Sequence, residues 1–352
     1  MQTLGATDAV SPAIERTRLV LFSPFRFGRS WKLAATGYLA FAATVFLPFP
    51  FLYLGVAAQF MKQGHRSLAE IIIVGVVVAT MIFLVLFYVF SRLEFVFFDL
   101  VLHRGEFVRP AWRKYEEQTW PWLAIKVVLG VLLMIVLAAP LLVYVRHSVG
   151  MFTMHPARTL PLHFLAHLVM FEFGVFGLFG SMFLIGSLLT DFVLPSMALE
   201  NAPVRESLRR FFALVRREPG QVFGFIGMKI VLGVAGYILQ TIAIYIVIFV
   251  VLLVVGILCL LGYLLLHMLH VPLAVMVVLA CLLALPAYLF TSFYSMIFFA
   301  GTVLTFLQAY ALYFLGGRYP LIGRALEQST PGLPQAGYLP QSWPPIGVPP
   351  GI

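Results

Sequence analysis

Four charged side chains lie inside the long apolar runs of this sequence, where a charge is costly. They are Glu172, Asp191, Lys126 and Lys229. A charge at the centre of a bilayer costs at least about 2.5–3.5 kcal/mol on insertion scales, so each of these groups needs a partner or a function. Together they form a candidate intramembrane polar site. Ionisable groups in such places bind protons, cations or anionic ligands, or pair with one another.

Each of the four has its own alternatives. Glu172 is the deepest acid, and no basic residue lies three or four positions from it, so its partner must come from another helix. Structural pairing and proton or cation binding both remain open for Glu172. Asp191 lies near the inner end of the same run, where capping or pairing with a basic loop residue is expected. Lys126 and Lys229 lie close to the cytoplasmic edge. They either extend their stems toward the interface or face an anionic lipid or solute.

Histidines suggest a metal site less strongly. His163 and His167 have the i, i+4 spacing of a helical metal pair. Glu172, however, lies about 140° around the helix from His167 and cannot complete that site locally. His267 and His270 form a second close pair. We therefore interpret these histidines as interfacial and predict no metal or other cofactor.

Enzyme motifs are missing from the sequence. It has no P-loop, no G-x-S-x-G, no H-E-x-x-H and no C-x-x-C. The two cysteines, Cys259 and Cys281, both lie in apolar runs, which excludes a disulfide framework. We assign no catalytic residue and predict that the protein is not an enzyme.

The composition identifies the elements that must position these side chains. Of 352 residues, 62% are hydrophobic and 11% are charged. Soluble domains have about 45–50% apolar and about 25% charged residues. Charge-free runs here exceed the roughly 20 residues that cross a bilayer as a helix. The sequence therefore predicts an all-α, polytopic helical membrane bundle.

Five apolar runs define the predicted crossings. The first four span residues 33–61, with a kink at Pro48 and Pro50, 71–90, 121–145 and 161–199. The fifth, 219–316, contains only one charge, Lys229. It is long enough for four crossings or for two very long bent helices, with Pro272 and Pro286 as breakpoints. We predict six main transmembrane helices, with eight as the alternative.

Basic residues set the predicted orientation. Five precede residue 33, five lie in the second connection and five in the fourth, whereas the first and third connections have two each. This alternation places both termini in the cytoplasm. The net charge of +9 then reflects cytoplasmic loops beside anionic lipid rather than nucleic-acid binding. Trp31, Trp112, Trp120 and Trp122 lie at the same boundaries, as an aromatic belt requires.

An internal repeat connects two of the basic loops. Residues 108–115 match residues 204–211 at an offset of 96, and residues 126–131 match residues 229–234 at an offset of 103. Ser23-Pro24 or Ser11-Pro12 could begin a weaker third copy. The predicted unit is a basic helix in the membrane interface followed by a membrane hairpin.

The later loop shows the predicted two-sided character. Val204, Leu208, Phe211 and Val215 share one side of a helical wheel, with arginines on the other. The basic residues of both loops are candidate contacts for anionic phospholipid headgroups. They are Arg109, Arg113, Lys114, Arg205, Arg209, Arg210, Arg216 and Arg217.

Three regions follow along the chain. Residues 1–32 are predicted as a cytoplasmic N-terminal amphipathic segment, 33–320 as the integral membrane domain and 321–352 as a Pro-rich, disordered cytoplasmic tail. The tail is a plain extension or a ligand for a proline-recognising protein partner. The oligomeric state is left open.

Short motifs resemble a known group of proteins. Phe98-Asp99-Leu100-Val101, and the segment 191–200 followed by the arginines of 205–217, resemble uncharacterised prokaryotic six-helix membrane proteins. Those proteins are similar to the membrane domain fused to some glycerophosphoryl diester phosphodiesterases. The resemblance implies an all-helical domain of the cell inner membrane, associated with lipid or envelope processes. It carries no catalytic residue onto this chain.

Three functional hypotheses follow. The first is a non-enzymatic membrane module that organises lipid or partner proteins. The second is a transporter or channel for a small solute or lipid, which the repeat, the proline-interrupted helices and Glu172 favour. The third, an intramembrane enzyme, rests only on scattered His, Asp and Glu residues.

Overall fold

A computed structural model describes residues 2–23, 25–44, 61, 66–105, 108–132, 135–136 and 162–329 of the chain. Within these ranges the protein is helical and contains no strand. The helices are α1 (Val10–Phe22), α2 (Phe27–Phe41), α3 (Arg66–His103), α4 (Val108–Lys114), α5 (116–132), α6 (Leu162–Phe192), α7 (Leu194–Glu200), α8 (Val204–Arg217), α9 (Pro219–Met268), α10 (Leu273–Gly316) and α11 (Pro320–Ser329). The predicted all-α class is confirmed.

Four of these helices are long and apolar enough to cross a membrane. Three of them are the whole helices α3, α9 and α10. The fourth is the stretch Gly177–Glu200, which runs from α6 into α7. The first and third predicted crossings continue into residues 45–60 and 137–161, which lie outside the described part of the chain. The coarse prediction of a helical membrane bundle therefore holds for the described ranges, and four candidate crossings are seen there.

The longest apolar run forms two helices. Helix α9 continues without a break for 50 residues, and α10 follows for 44. The chain reverses at Leu269–Pro272, where His270 has a φ of 57° and Pro272 is the N-cap of α10. Of the two predicted breakpoints, Pro272 separates the helices, whereas Pro286 lies inside α10. The run contains two very long helices and not four shorter ones.

The buried core lies at one end of the bundle. It is formed by the carboxyl-terminal part of α3 (95–102), by residues 189–198 of α6 and α7, and by residues 309–315 of α10, with α1 and α11 packed against them. Away from this end, α3, α9 and α10 expose large apolar side chains along most of their length. Such surfaces are stable only in contact with lipid or with other protein.

One arginine connects the two ends of the chain within this core. Arg16 of α1 is 1% exposed. Its guanidinium donates to the main-chain oxygens of Val101 and Leu102 at the end of α3, and to Ser329 of α11. Burial lowers the pKa of Arg16 to about 10, so it is still protonated at neutral pH. The free carbonyls at a helix end are natural partners for such a cation.

Helices α4 and α8 are where the two basic loops were predicted, but their apolar sides face the protein. Val108 and Trp112 of α4, and Val204, Leu208 and Phe211 of α8, pack against the core. The sequence predicted that this side would enter the membrane interface. Each loop instead covers the end of the bundle, because the apolar ends of α3, α7 and α10 need that cover.

The amino-terminal elements differ from the predicted third copy. Helix α1 begins at Val10 with Ser11-Pro12 in its first turn, and α2 begins at Phe27 with Arg26 as its N-cap. Ser23 therefore does not cap α2. The predicted boundary at residue 32 lies within α2. Residues 321–329 of the predicted disordered tail, 321–352, instead belong to α11, where Ile322 and Leu326 are buried. The rest of that tail, from residue 330, lies outside the described residues.

Candidate intramembrane polar site

Lys126 of α5 and Glu94 of α3 form a buried ion pair. Each side chain is 3% exposed, and the lysine Nζ lies 2.5 Å from Glu94 Oε2. Trp122 Nε1, one turn before Lys126, donates to the same carboxylate oxygen at 2.6 Å. Lys126 Nζ also donates to the main-chain oxygen of Ala43 at 2.6 Å. The lysine therefore points into the bundle and not toward the interface, because Glu94 of α3 and Ala43, just after α2, both accept its hydrogen bonds.

Lys229 of α9 and Asp191 of α6 form a second pair. Lys229 Nζ donates to Asp191 Oδ2, and to Ser187 Oγ at 2.7 Å. The side chains of Lys229 and Asp191 are 11% and 3% exposed. Two of the four predicted polar residues are thus direct partners.

The two pairs have matching sequence surroundings. Glu94-Phe95-Val96 and Asp191-Phe192-Val193 lie 97 residues apart, and each begins with the acid of its pair. Trp122 and Phe225 each precede their lysine by four residues.

Their ring contacts match as well. Phe95 stacks on Tyr115 at 5.4 Å and meets the edge of Trp122 at 6.1 Å. Phe192 packs on Phe211 at 5.1 Å and on the edge of Phe225 at 5.3 Å. In both places, therefore, the phenylalanine after the acid lies between a ring from the basic loop and the ring one turn before the lysine.

A cavity of about 540 Å³ lies between the two pairs. Residues of α2, α3, α6, α9 and α10 line it, and most of the lining is apolar. Its polar groups are Thr44, Glu94, Ser187, Thr190, Asp191, Lys229 and Gln308, together with Ser181. A concave, mainly apolar space of this size with a few convergent polar groups is typical of a ligand site.

One carboxylate oxygen on the cavity wall lacks a partner. Glu94 Oε2 accepts from Trp122 and Lys126, but Glu94 Oε1 is buried and accepts no hydrogen bond within the described ranges. Most buried polar atoms in proteins have a partner, and one left without it costs about 1–3 kcal/mol or more when charged. Glu94 lines the cavity, and its Oε1 has the capacity to accept one further hydrogen bond.

Glu172 and the histidines are not joined to this site. Glu172 lies in α6, but its side chain is outside the described residues, as are those of His163 and His167. His147 and His155 belong to a range that is likewise not described. Among the residues that are described, no group of three or more His, Cys, Asp or Glu could hold a metal ion.

Sequence reasoning missed Glu94. Glu94 lies two residues after Arg92, just beyond the predicted second crossing, so the sequence favours a loop there. In the structure, α3 instead continues as a helix to His103. The signal that identifies it is the match between Glu94-Phe95-Val96 and Asp191-Phe192-Val193.

The basic residues predicted to contact lipid are placed in two groups. Some have acidic partners: Lys114 with Asp99, Arg209 with Glu206, and Arg210 with Glu200 and Glu206. The others, all exposed, are Arg109, Arg113, Arg205, Arg216 and Arg217.

Asp99 organises the first of the basic loops. Its Oδ1 accepts from Tyr115 at 2.6 Å and from Lys114 at 3.1 Å, and lies 3.4 Å from His103 Nδ1. Burial, and then the hydrogen bond to Asp99, raises the pKa of Tyr115 far above its ordinary value. The tyrosine hydroxyl therefore remains a donor to Asp99 throughout the physiological pH range.

Comparison with known families gives one match. The family described as a family of unknown function, DUF7544, matches residues 4–323. The chain belongs to this family. The match covers every described helix except α11, which it enters, and both buried ion pairs. No curated protein and no solved structure matches the chain. The resemblance to the membrane domain of glycerophosphoryl diester phosphodiesterases stays a prediction.

Proposed function

We propose that this protein is a non-enzymatic integral membrane protein that holds a lipid or lipid-like amphiphile in the cavity between its two buried ion pairs. The observation that carries the proposal is the apolar cavity of about 540 Å³ lined by Glu94, whose Oε1 has no hydrogen-bond partner among the described residues. Cavities that bind small molecules are of about 300–1,000 Å³ and combine apolar walls with a few polar groups.

The polar wall specifies the part of the ligand that enters. Both carboxylates already have a lysine partner, so the wall needs no further counter-charge. Glu94 Oε1 needs a donor, which a hydroxyl or amine group of an amphiphile supplies. The apolar walls from α6 and α9 then contact its hydrocarbon part, with apolar burial stabilising the complex by about 25 cal/mol per Å².

Two features support a duplicated architecture for this module. The matching acid-Phe-Val segments and matching ring contacts favour a twofold repeat of basic helix and hairpin. We place the cavity between the two repeats, and both termini on the cytoplasmic side of a prokaryotic inner membrane, on the strength of the basic loops. The exposed arginines of the loops then face anionic phospholipid headgroups.

Glycine substitutions test the cavity without touching either ion pair. Gly233 lines the cavity, and a Cβ added there meets nothing within 4 Å, so the side chain of Gly233→Leu fills part of the cavity without a backbone clash. Gly256→Leu is the matched control, because it lies in the same helix, is equally open and is outside the cavity. We expect co-purified lipid, measured by native mass spectrometry, to fall about tenfold in Gly233→Leu only, which corresponds to about 1.4 kcal/mol. Equal lipid occupancy in all three proteins would contradict the proposal.

Transport is the second candidate function, and the position of the cavity between two buried ion pairs favours it. Transporters with internal repeats bind their substrates near the repeat interface. The same variants separate the two functions in proteoliposomes. If the bound amphiphile crosses the bilayer with wild-type protein and with Gly256→Leu but not with Gly233→Leu, the cavity is a transport site. If it binds without crossing, the cavity is a holding site.

A further inference from the structure

A second groove lies next to the carboxyl-terminal end of α6. Its volume is about 300 Å³, and residues of α6, α7, α8, α10 and α11 line it. Phe192, Phe211 and Leu315 belong to its apolar lining, and Arg210, Arg217 and Arg318 to its basic lining. Asp191 lines the cavity and Phe192 lines the groove, so two consecutive residues of α6 separate the two spaces.

The first half of the chain shows what occupies the corresponding place. There Asp99 places its carboxylate against Lys114 and Tyr115. In the second half, Ser196 stands 97 residues after Asp99, and Arg210 and Phe211 stand 96 residues after Lys114 and Tyr115. Position 196 therefore offers no carboxylate and position 211 no hydroxyl; beside Arg210 these groups come instead from Glu200 and Tyr319. Ser196, Arg210 and Phe211 all line the groove that remains.

The arginines of the groove differ in their partners. Arg210 pairs with Glu200 and Glu206, and Arg318 pairs with Glu218 while donating to Leu4 and Phe314 main-chain oxygens. These contacts fix the two guanidinium groups in place. Arg217, at the end of α8, forms no ion pair or hydrogen bond with any residue that the structure describes. It is the cation of the groove that is open to an incoming anion.

We propose that this groove binds the phosphate of an anionic membrane phospholipid, with Arg217 contacting the phosphate and an acyl chain entering the apolar part. Guanidinium groups match phosphate oxygens in charge and in hydrogen-bond geometry. Because Arg210 and Arg318 already have carboxylate partners, the anion is bound by Arg217. The apolar lining favours a lipid over free phosphate, which offers nothing to bury there.

The test measures binding to the full-length protein in detergent. The probes are dioctanoyl phosphatidylglycerol, dioctanoyl phosphatidylcholine and inorganic phosphate, followed by native mass spectrometry and isothermal titration calorimetry. We expect Arg217→Gln to weaken phosphatidylglycerol binding about fivefold, as for the loss of one basic group near a phosphate. Arg216→Gln is the matched control, because Arg216 is its exposed neighbour in α8 and does not line the groove.

A second variant adds a negative charge to the lining of the groove. Ser196→Asp copies Asp99, and we expect it to abolish phosphatidylglycerol binding at this site. Three outcomes would overturn the proposal: equal effects of Arg216→Gln and Arg217→Gln, unchanged binding in Ser196→Asp, or binding of inorganic phosphate as tight as that of the lipid. Because Gly233→Leu alters only the cavity, failure here leaves the proposed function standing, and failure there leaves the groove standing.

Discussion

At the scale of single residues, the two lysine–acid pairs decide whether charges can stay inside this bundle. Lys126 is 3% exposed. Its Nζ donates to the Glu94 carboxylate and to the main-chain oxygen of Ala43, and it lies over the Trp122 ring at 5.2 Å from the ring centre. A buried pair is weak evidence for stability, but removing one partner leaves the other charged and uncompensated. Each lysine and each acid therefore needs its partner in order to remain charged inside the bundle.

Lys126→Met tests this dependence. The substitution keeps the length of the side chain and leaves the Glu94 carboxylate without its counter-charge. We expect the free energy of unfolding in detergent micelles, followed by circular dichroism, to fall by about 3–5 kcal/mol. Adding Glu94→Met should restore much of that loss, because the apolar pair has no buried charge.

Lys114→Met is the control for that prediction. Its ion pair with Asp99 is half exposed on the lysine side, so its loss should cost less than about 1 kcal/mol. An equal effect of Lys114→Met and Lys126→Met would show that burial of the pair does not matter.

The sequence predicts these residues unequally, for a physical reason. Lys126, Lys229 and Asp191 stand out because each is a charge in an apolar run. Glu94 does not stand out, because a charge just after the end of an apolar run is typical of a loop. Only its contact with a partner on another helix shows that it is buried. That Asp191 and Lys229 meet, and that Lys126 meets Glu94, depends on long-range packing that periodicity along the chain does not encode.

At the scale of elements, close helix contacts set where the cavity can exist. Gly301 of α10 lies against α2, and a Cβ added there would be 2.1 Å from the main-chain oxygen of Ala34. Only glycine permits two helices to approach this closely. Beyond this contact, along the same two helices, Ala40 and Leu304 line the cavity.

Gly301→Ala tests that contact. The added methyl group must push α10 away from backbone atoms of α2, which cannot move aside as a side chain can. We expect a loss of about 1–3 kcal/mol or more in the free energy of unfolding. In the control Gly256→Ala, the new Cβ meets nothing within 4 Å. That variant should be neutral or gain about 0.5–1 kcal/mol from helix propensity. A neutral Gly301→Ala would contradict the close packing of α2 on α10.

The sequence predicts where the helices form more fully than it predicts what each side of a helix contacts. Pro272 ends one helix and begins another because it caps α10 after a turn, whereas Pro286 is accommodated within α10. Both are single prolines in apolar surroundings, so local chemistry does not separate them. Likewise, the sequence shows the two-sided character of α8, but its apolar side meets protein because it covers the apolar ends of α3, α7 and α10.

At the scale of the whole molecule, the hairpin of α9 and α10 is longer than a bilayer is thick. Fifty residues of helix extend about 75 Å, against a hydrocarbon core of about 30 Å. Its apolar surface is exposed far beyond the cavity. Tilting alone does not absorb this excess, because membrane helices tilt by about 0–40°. The far part of the hairpin therefore needs lipid or further protein around it.

The unbroken helix α9 predicts on which side the turn at Leu269–Pro272 lies. Since the chain does not reverse between residues 219 and 268, the turn must be on the side opposite to α8. We expect His270→Cys, with Cys259 and Cys281 replaced by alanine, to react with a membrane-impermeant maleimide added outside intact cells. A cysteine placed at Arg216 is the control and should react only after permeabilisation. Labelling of position 270 only in permeabilised cells would instead favour the eight-crossing alternative.

Arg16 has a consequence for how the molecule is made. Its partners Val101, Leu102 and Ser329 lie far apart in the order of synthesis, and the last of them comes 313 residues after the arginine. While the ribosome is still translating α9 and α10, the guanidinium can form only its three hydrogen bonds to Val101 and Leu102, and not the two to Ser329. The last hydrogen bonds of α1 therefore form only after α11 has been synthesised. A chain that stops before α11 would lack the bonds to Ser329, and a buried arginine at the end of the bundle would keep only its bonds to α3.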